Sequence, residues 1–97
     1  MIRNFLDRAT TDLFNGVNSK AARRTLPIEL HDVARRRLDM LNEAISLEDL
    51  AVVPGNHLEK LSGDLRGKYS IRINRQYRIV FEFEGGNASG VVVRDYH

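Results

Sequence analysis

The side chains best suited to chemistry in this 97-residue sequence are Arg72, Arg78 and the ending Arg94-Asp95-Tyr96-His97. If Asn74-Arg75-Gln76 is a three-residue hairpin loop, Ile73 faces Tyr77 and Arg72 faces Arg78. Ile71, Ile73, Ile79, Phe81 and Phe83 alternate with polar residues and belong on a core face, so both arginines take the opposite, open face. Like charges directly opposed on a sheet repel by a few tenths to about 1 kcal/mol. An anion between them relieves this. Glu59 or Glu82 can supply it, and so can a bound phosphate, whose oxygens suit guanidinium forks. At the end of the chain, His97 is either a candidate acid or base, with an ordinary pKa of about 6.5, or a frayed terminus. Tyr96 can stack on a base or donate its hydroxyl.

Other chemistries find less support. The chain has no cysteine, so it has neither disulfides nor a thiolate nucleophile or metal ligand. His31 and His57 have no second ligand at a metal-like spacing and read as structural or surface residues. No Gly-rich loop follows a strand, and no Ser/His/Asp arrangement is present. We therefore expect no metal and no cofactor.

The formal charge of +2 hides an uneven distribution. Residues 1–56 carry eight basic and eight acidic side chains, residues 57–78 six against two, and residues 79–97 one against three. The middle block, +4, attracts a polyanion such as nucleic acid, unless it is simply a solvated face. Its candidate RNA-binding residues are Lys60, Arg66, Lys68 and Arg75. At 42% hydrophobic and 29% charged, the chain reads as one globular domain over residues 1–97. No apolar run approaches the ~20 residues of a membrane span, and the N-terminus lacks a signal core. A cytoplasmic location without membrane contact is the expectation.

These residues need a frame to hold them. Ile2 to Phe5 reads as a short strand, followed by a helix capped by Asp7 that runs to about Phe14. Leu6, Ala9, Leu13 and Val17 lie on one side of it, and Gly16 stops it. Residues 18–25 are ambiguous. Pro27 opens the main helix, with a stripe of Leu30, Val33, Ala34, Leu38, Leu41 and Ile45. Ser46-Leu47-Glu48-Asp49 has capping-box form and starts a short helix to about Val52, ended by Pro54-Gly55-Asn56. The period then changes to two, with a short strand between Leu58 and Leu61, the hairpin strands, and a last strand through Val91-Val92-Val93. The expected class is α+β: helices on one face of a small antiparallel sheet, the other face free for a partner.

One family shares these residues. Pro54-Gly55-Asn56-His57-Leu58-Glu59-Lys60-Leu61-Ser62-Gly63-Asp64, then Gly67-Lys68-Tyr69-Ser70-Ile71-Arg72-Ile73-Asn74 and Gln76-Tyr77-Arg78-Ile79-Val80-Phe81, resemble HigB-type toxins of the RelE superfamily, as does the Asp95-Tyr96-His97 ending. The opening Met1-Ile2-Arg3-Asn4-Phe5 and the length fit too, so the likeness covers the whole chain. It implies a RelE-like microbial RNase fold and a toxin of a type II toxin–antitoxin system that cuts mRNA on the translating ribosome. It implies a metal-free reaction, in which the RNA 2′-hydroxyl attacks the adjacent phosphate. Arg72 and Arg78 then clamp the phosphate, His97 and Tyr96 form the C-terminal catalytic pair, and Asp95 orients His97 or binds a ribose.

This sequence departs from the His/Lys branch of the family, where a His and a Lys occupy the positions held here by Glu59 and Ser62. Glu59 is then the candidate base. The implied partners are a HigA-type helix-turn-helix antitoxin, with operator DNA reached only through it, and mRNA with ribosomal RNA contacts. Two other classes remain: a ParE-like toxin that binds DNA gyrase without cutting RNA, and a non-catalytic RNA-binding module.

Overall fold

The fold comes from a computed structural model, which describes residues 1–96. Asp7 is extended and accepts a hydrogen bond from the Thr10 amide at 2.8 Å, which starts α1 (Arg8–Phe14). Ala9 and Leu13 on it are buried, whereas Leu6 and Val17, which flank the helix, are exposed. Ser19 caps α2 (Lys20–Thr25), settling the ambiguous segment as helix. Pro27 precedes a 3-10 turn, Ile28–Leu30, and α3 (His31–Glu43) begins only after it. Ala34, Leu38 and Leu41 are fully buried on α3. The stripe stops short of Ile45, which is 79% exposed. The cause is local: Asp49 accepts from the Ile45 and Ser46 amides, and the resulting capping box starts α4 (Leu47–Ala51) by breaking the previous helix.

After a 3-10 turn at Pro54–Asn56 the chain forms an antiparallel meander in sequence order: β1 (Glu59–Lys60), β2 (Tyr69–Arg72), β3 (Tyr77–Glu84) and β4 (Asn87–Asp95). The expected hairpin loop is present. Asn74 folds it by accepting from the Gln76 and Tyr77 amides. Residues 2–5 form no strand of their own; they lie parallel to β4 through single bridges, Ile2 to Ala88 and Phe5 to Val91. The pairing of β3 with β4 shifts register between Val80 and Glu82. Gly90, at φ +59°, absorbs the extra residue, so Ala88 and Val91 both reach the core despite their odd spacing.

The helices cover one sheet face, packing Leu13, Leu26, Leu38, Leu41 and Leu50 onto Ile71, Ile79, Phe81, Val91 and Val93. This confirms the α+β class. The other face is less open than expected. Leu61 and Leu65, both in the connection that follows β1, fold across Val80 and Val92 to make a second, smaller cluster. No helix among the described residues is long and apolar enough to cross a membrane.

Candidate phosphate-binding site

On that second face the strands bring three arginines level with one another. Arg72 pairs with Arg78 across β2 and β3, and Arg78 pairs with Arg94 across β3 and β4. Their common side follows from alternation. Arg78 lies two residues before Val80 and Arg94 two after Val92, both members of the smaller cluster, while Ile79 and Val93 between them face the helices.

The three differ sharply in environment. Arg78 is 6% exposed and held on several sides. Its Nε donates to Ser70 Oγ at 2.7 Å, and its Nη2 donates to the carbonyls of His57 and Ser70. Nη1 lies 3.5 Å from Glu59 Oε1. The register pairing of Arg72 with Arg78 is as the sequence implied, but Arg78 is not on an open surface, because β1 and the loop before it close over it. Burial pushes the Arg78 guanidinium below its ordinary pKa; Glu59 opposes this, Arg72 adds to it, and the Tyr96 phenol favours the charged form. Glu59, rather than Glu82, is thus the carboxylate that answers the arginines. Glu82 lies on the far side of the register shift, opposite Ser89.

Arg72 is half-buried, and its Nε is shut off from solvent with no hydrogen-bond partner among the described residues. Arg94 is exposed. Three guanidiniums therefore share one paired carboxylate, a local excess of positive charge beside Tyr96, which is 43% exposed. The end of β4 is fixed by the hairpin loop: the Tyr96 amide donates to the Gln76 carbonyl at 2.7 Å, and Gln76 Nε2 to Asp95 Oδ2 at 3.0 Å. On the helical side the Val93 amide donates to the buried Thr10 hydroxyl at 3.1 Å. His97, expected as the acid or base, lies outside the described residues.

The other candidates are more scattered. Lys60 pairs with Tyr69, whose ring stacks on Phe81, so it sits on the helical side of the sheet, away from Glu59. Arg66 and Lys68 lie in the connection from β1 to β2, and Arg75 at the hairpin tip. His31 Nε2 donates to the Leu26 carbonyl, 2.9 Å away, beside a cleft of about 270 Å³ that is lined by Arg35 but by none of Arg72, Arg78 and Arg94. Among the described residues no three His, Asp or Glu side chains converge as metal ligands.

Sequence reasoning passed over Ser70 and the backbone of His57, and it named Arg94 in the C-terminal run without placing it beside the other two arginines. Ser70 was within reach, since alternation places it on the same face as Arg72. His57 sits in the left-handed region at φ +43°, the only non-glycine with positive φ among the described residues, and this turns its carbonyl toward Arg78. Such a backbone strains an L side chain by roughly 1–2 kcal/mol. His57→Gly keeps the carbonyl and removes the strain, with a partial loss from added chain entropy. It is expected to raise stability by about 0.5–1 kcal/mol in urea unfolding; a loss of that size instead would show that the imidazole itself holds the turn.

Two solved Staphylococcus aureus proteins share this fold over nearly their whole length. One is the YoeB–YefM toxin–antitoxin heterotetramer, with TM-score 0.62 and 21% identity over 100% of this chain and 95% of that one. The other is the YoeB dimer, with TM-score 0.59 and 20% identity over 99% and 94%. The fold is that of the RelE-like toxins. Residues 4–97 match the family model of HigB-like toxins, described as the RelE-like toxin of the type II toxin–antitoxin system HigB, and the chain belongs to that family. It is 40% identical over 65 residues to Toxin HigB-1 of Vibrio cholerae, covering 67% of this chain and 68% of that protein. An uncharacterized Haemophilus influenzae protein is 36% identical over 66 residues, covering 68% and 65%. These alignments span about two thirds of each relative.

Proposed function

We propose that this HigB-family toxin is a ribosome-dependent mRNA endoribonuclease that needs no metal ion. The observation that carries the reading is the arginine ladder: three guanidiniums at one level of the sheet, one carboxylate among them, and a tyrosine at its end. A phosphate there receives the positive charge that its transition state requires. The RNA 2′-oxygen attacks the neighbouring phosphorus and the bond to the 5′-oxygen breaks, giving a 2′,3′-cyclic phosphate and a 5′-hydroxyl. The proton lost from the 2′-hydroxyl goes to a base, for which Glu59 is the candidate, and the leaving oxygen takes one from an acid, for which His97 is the candidate. Glu59 contacts Arg78 in the resting protein, so a bound phosphate frees it by competing for that guanidinium. Tyr96 stacks on a base or donates its hydroxyl, and Asp95, bonded to Gln76, orients the terminal histidine.

In this reading the partner that restrains the toxin is a HigA-type antitoxin, the ribosome presents the mRNA, and the protein acts in the cytoplasm. The test maps mRNA 5′ ends in a translating extract. The wild type is expected to create new ends within open reading frames and to leave the same mRNA intact without ribosomes. His97→Ala and Arg78→Ala are each expected to reduce the cleavage at least 100-fold. Cleavage that survives both substitutions, or its absence with the wild type, overturns the reading.

A further inference from the structure

We infer that Arg94 forms a second phosphate subsite, which holds the internucleotide phosphate next to the one undergoing reaction. The inference rests on the nuclease reading and adds a residue and a minimum substrate to it: a strand with at least two consecutive phosphates.

The arrangement of the three arginines carries it. Arg78 is enclosed, its guanidinium occupied by Ser70, the His57 carbonyl and Glu59. It serves as the buried central charge and has little surface to offer a second phosphate. Arg72 and Arg94 stand on either side, each one strand away, and neither guanidinium has a hydrogen bond or ion pair among the described residues. Neighbouring strands are about 5 Å apart, so the outer two guanidiniums are separated by roughly two such spacings at their backbones. That spacing lets the outer two side chains reach consecutive phosphates of an extended strand crossing β2, β3 and β4. Glu59 lies at the β1 end of this line and Arg94 at the β4 end; among the described residues Glu59 pairs with Arg78 and Arg94 has no ion pair.

The built geometry favours this over an accidental surface arginine. The register shift at Gly90 is what places Arg94, rather than Val93, opposite Arg78. On the same strand, the Thr10 hydroxyl holds the Val93 amide and Gln76 holds Asp95 and Tyr96, so the residues on both sides of Arg94 are anchored. A planar guanidinium on a fixed backbone is well suited to phosphate, and the exposed side chain has lost no solvation in advance.

The test uses full-length protein and two 2′-deoxy trinucleotides of the same sequence, which the enzyme cannot cleave. One has two phosphates; in the other a methylphosphonate neutralises one of them. Fluorescence anisotropy at several salt concentrations reads the affinity. The wild type is expected to prefer the two-phosphate strand by about three- to fivefold at low salt. Arg94→Gln is expected to abolish that preference and lower the salt slope by about 0.7, the value for one phosphate contact on a single strand. Arg94→Lys is expected to restore part of both. Equal affinity of Arg94→Gln and wild type for the two-phosphate strand, or an equal loss on both strands, overturns the second subsite while leaving the nuclease reading intact. No salt-dependent binding of either strand by the wild type also overturns the subsite, while the ribosome-dependent nuclease reading is decided separately by the mapping of mRNA 5′ ends.

Discussion

Arg78→Ala is expected to lose roughly 2–3 kcal/mol of stability and, as a separate effect, at least 100-fold in mRNA cleavage. The stability loss follows from what the guanidinium satisfies. Without it Ser70 Oγ, a fully buried residue's hydroxyl, loses its partner, and the carbonyls of His57 and Ser70 lose a shared donor. Each buried unsatisfied group costs about 1–3 kcal/mol, but the terms are not additive and the desolvation of the charge is relieved at the same time. Glu59 adds little to the stability loss, because its side chain is 57% exposed and returns to water when its partner is gone. Arg78→Lys separates charge from shape: an ammonium keeps the positive charge but cannot reach Ser70, His57 and Glu59 together in a planar fork. It is expected to recover some cleavage and less than half of the stability. Urea unfolding and cleavage at a temperature where every variant is folded measure the two effects. A stability loss below about 0.5 kcal/mol would mean that the contacts of Arg78 do not hold β1 against the sheet.

Much of this site was legible in the sequence, and the reasons for the rest are specific. Alternation plus a three-residue loop gave Arg72 opposite Arg78, because hairpin register depends only on local counting and on a face that must be apolar. The same counting does not reach Arg94. From the Gly85-Gly86 turn, an unbroken ladder pairs Arg78 with Val93, and only the extra residue accommodated at Gly90 moves Arg94 into place. A glycine before an apolar run does not by itself announce a bulge. The burial of Arg78 was hidden for another reason. It depends on β1 and the loop before it crossing the sheet, a long-range packing event for which two apolar residues, Leu61 and Leu65, are a faint signal. Helix caps were readable at Asp7 and Ser46, but not the conflict at Ile45. There the apolar period argued for a continued helix, and the amides of Ile45 and Ser46 were drawn instead to Asp49.

The contrasting substitution is Phe81→Ala, expected to be the more damaging to the fold and the less informative about chemistry. Phe81 is on β3 with Arg78 but points to the opposite face, where it is fully buried. Its ring stacks against Tyr69 at a centroid distance of 6.2 Å and meets Phe83 edge-on at 6.4 Å. Truncation removes most of an aromatic side chain from the main core, and the surrounding strands and helices cannot close the void. A loss of about 3–5 kcal/mol is expected, which for a domain of this size lowers the melting temperature by roughly 15–30 °C. Such a loss approaches the whole stability of many small domains, so the assay must be run cold or with a stabilising osmolyte. The site lies across the sheet from the cavity, and its contacts run through Ser70, His57 and Glu59 rather than through the ring. Phosphate-dependent RNA affinity per folded molecule is therefore expected to stay within about twofold of the wild type, in the same anisotropy assay used for Arg94. A variant that melts early but binds normally places the two sheet faces under separate control, the helical face supplying stability and the arginine face supplying function. A variant in which affinity falls with stability would show instead that the register of β3, and with it the alignment of Arg72, Arg78 and Arg94, is set by the core packing beneath it.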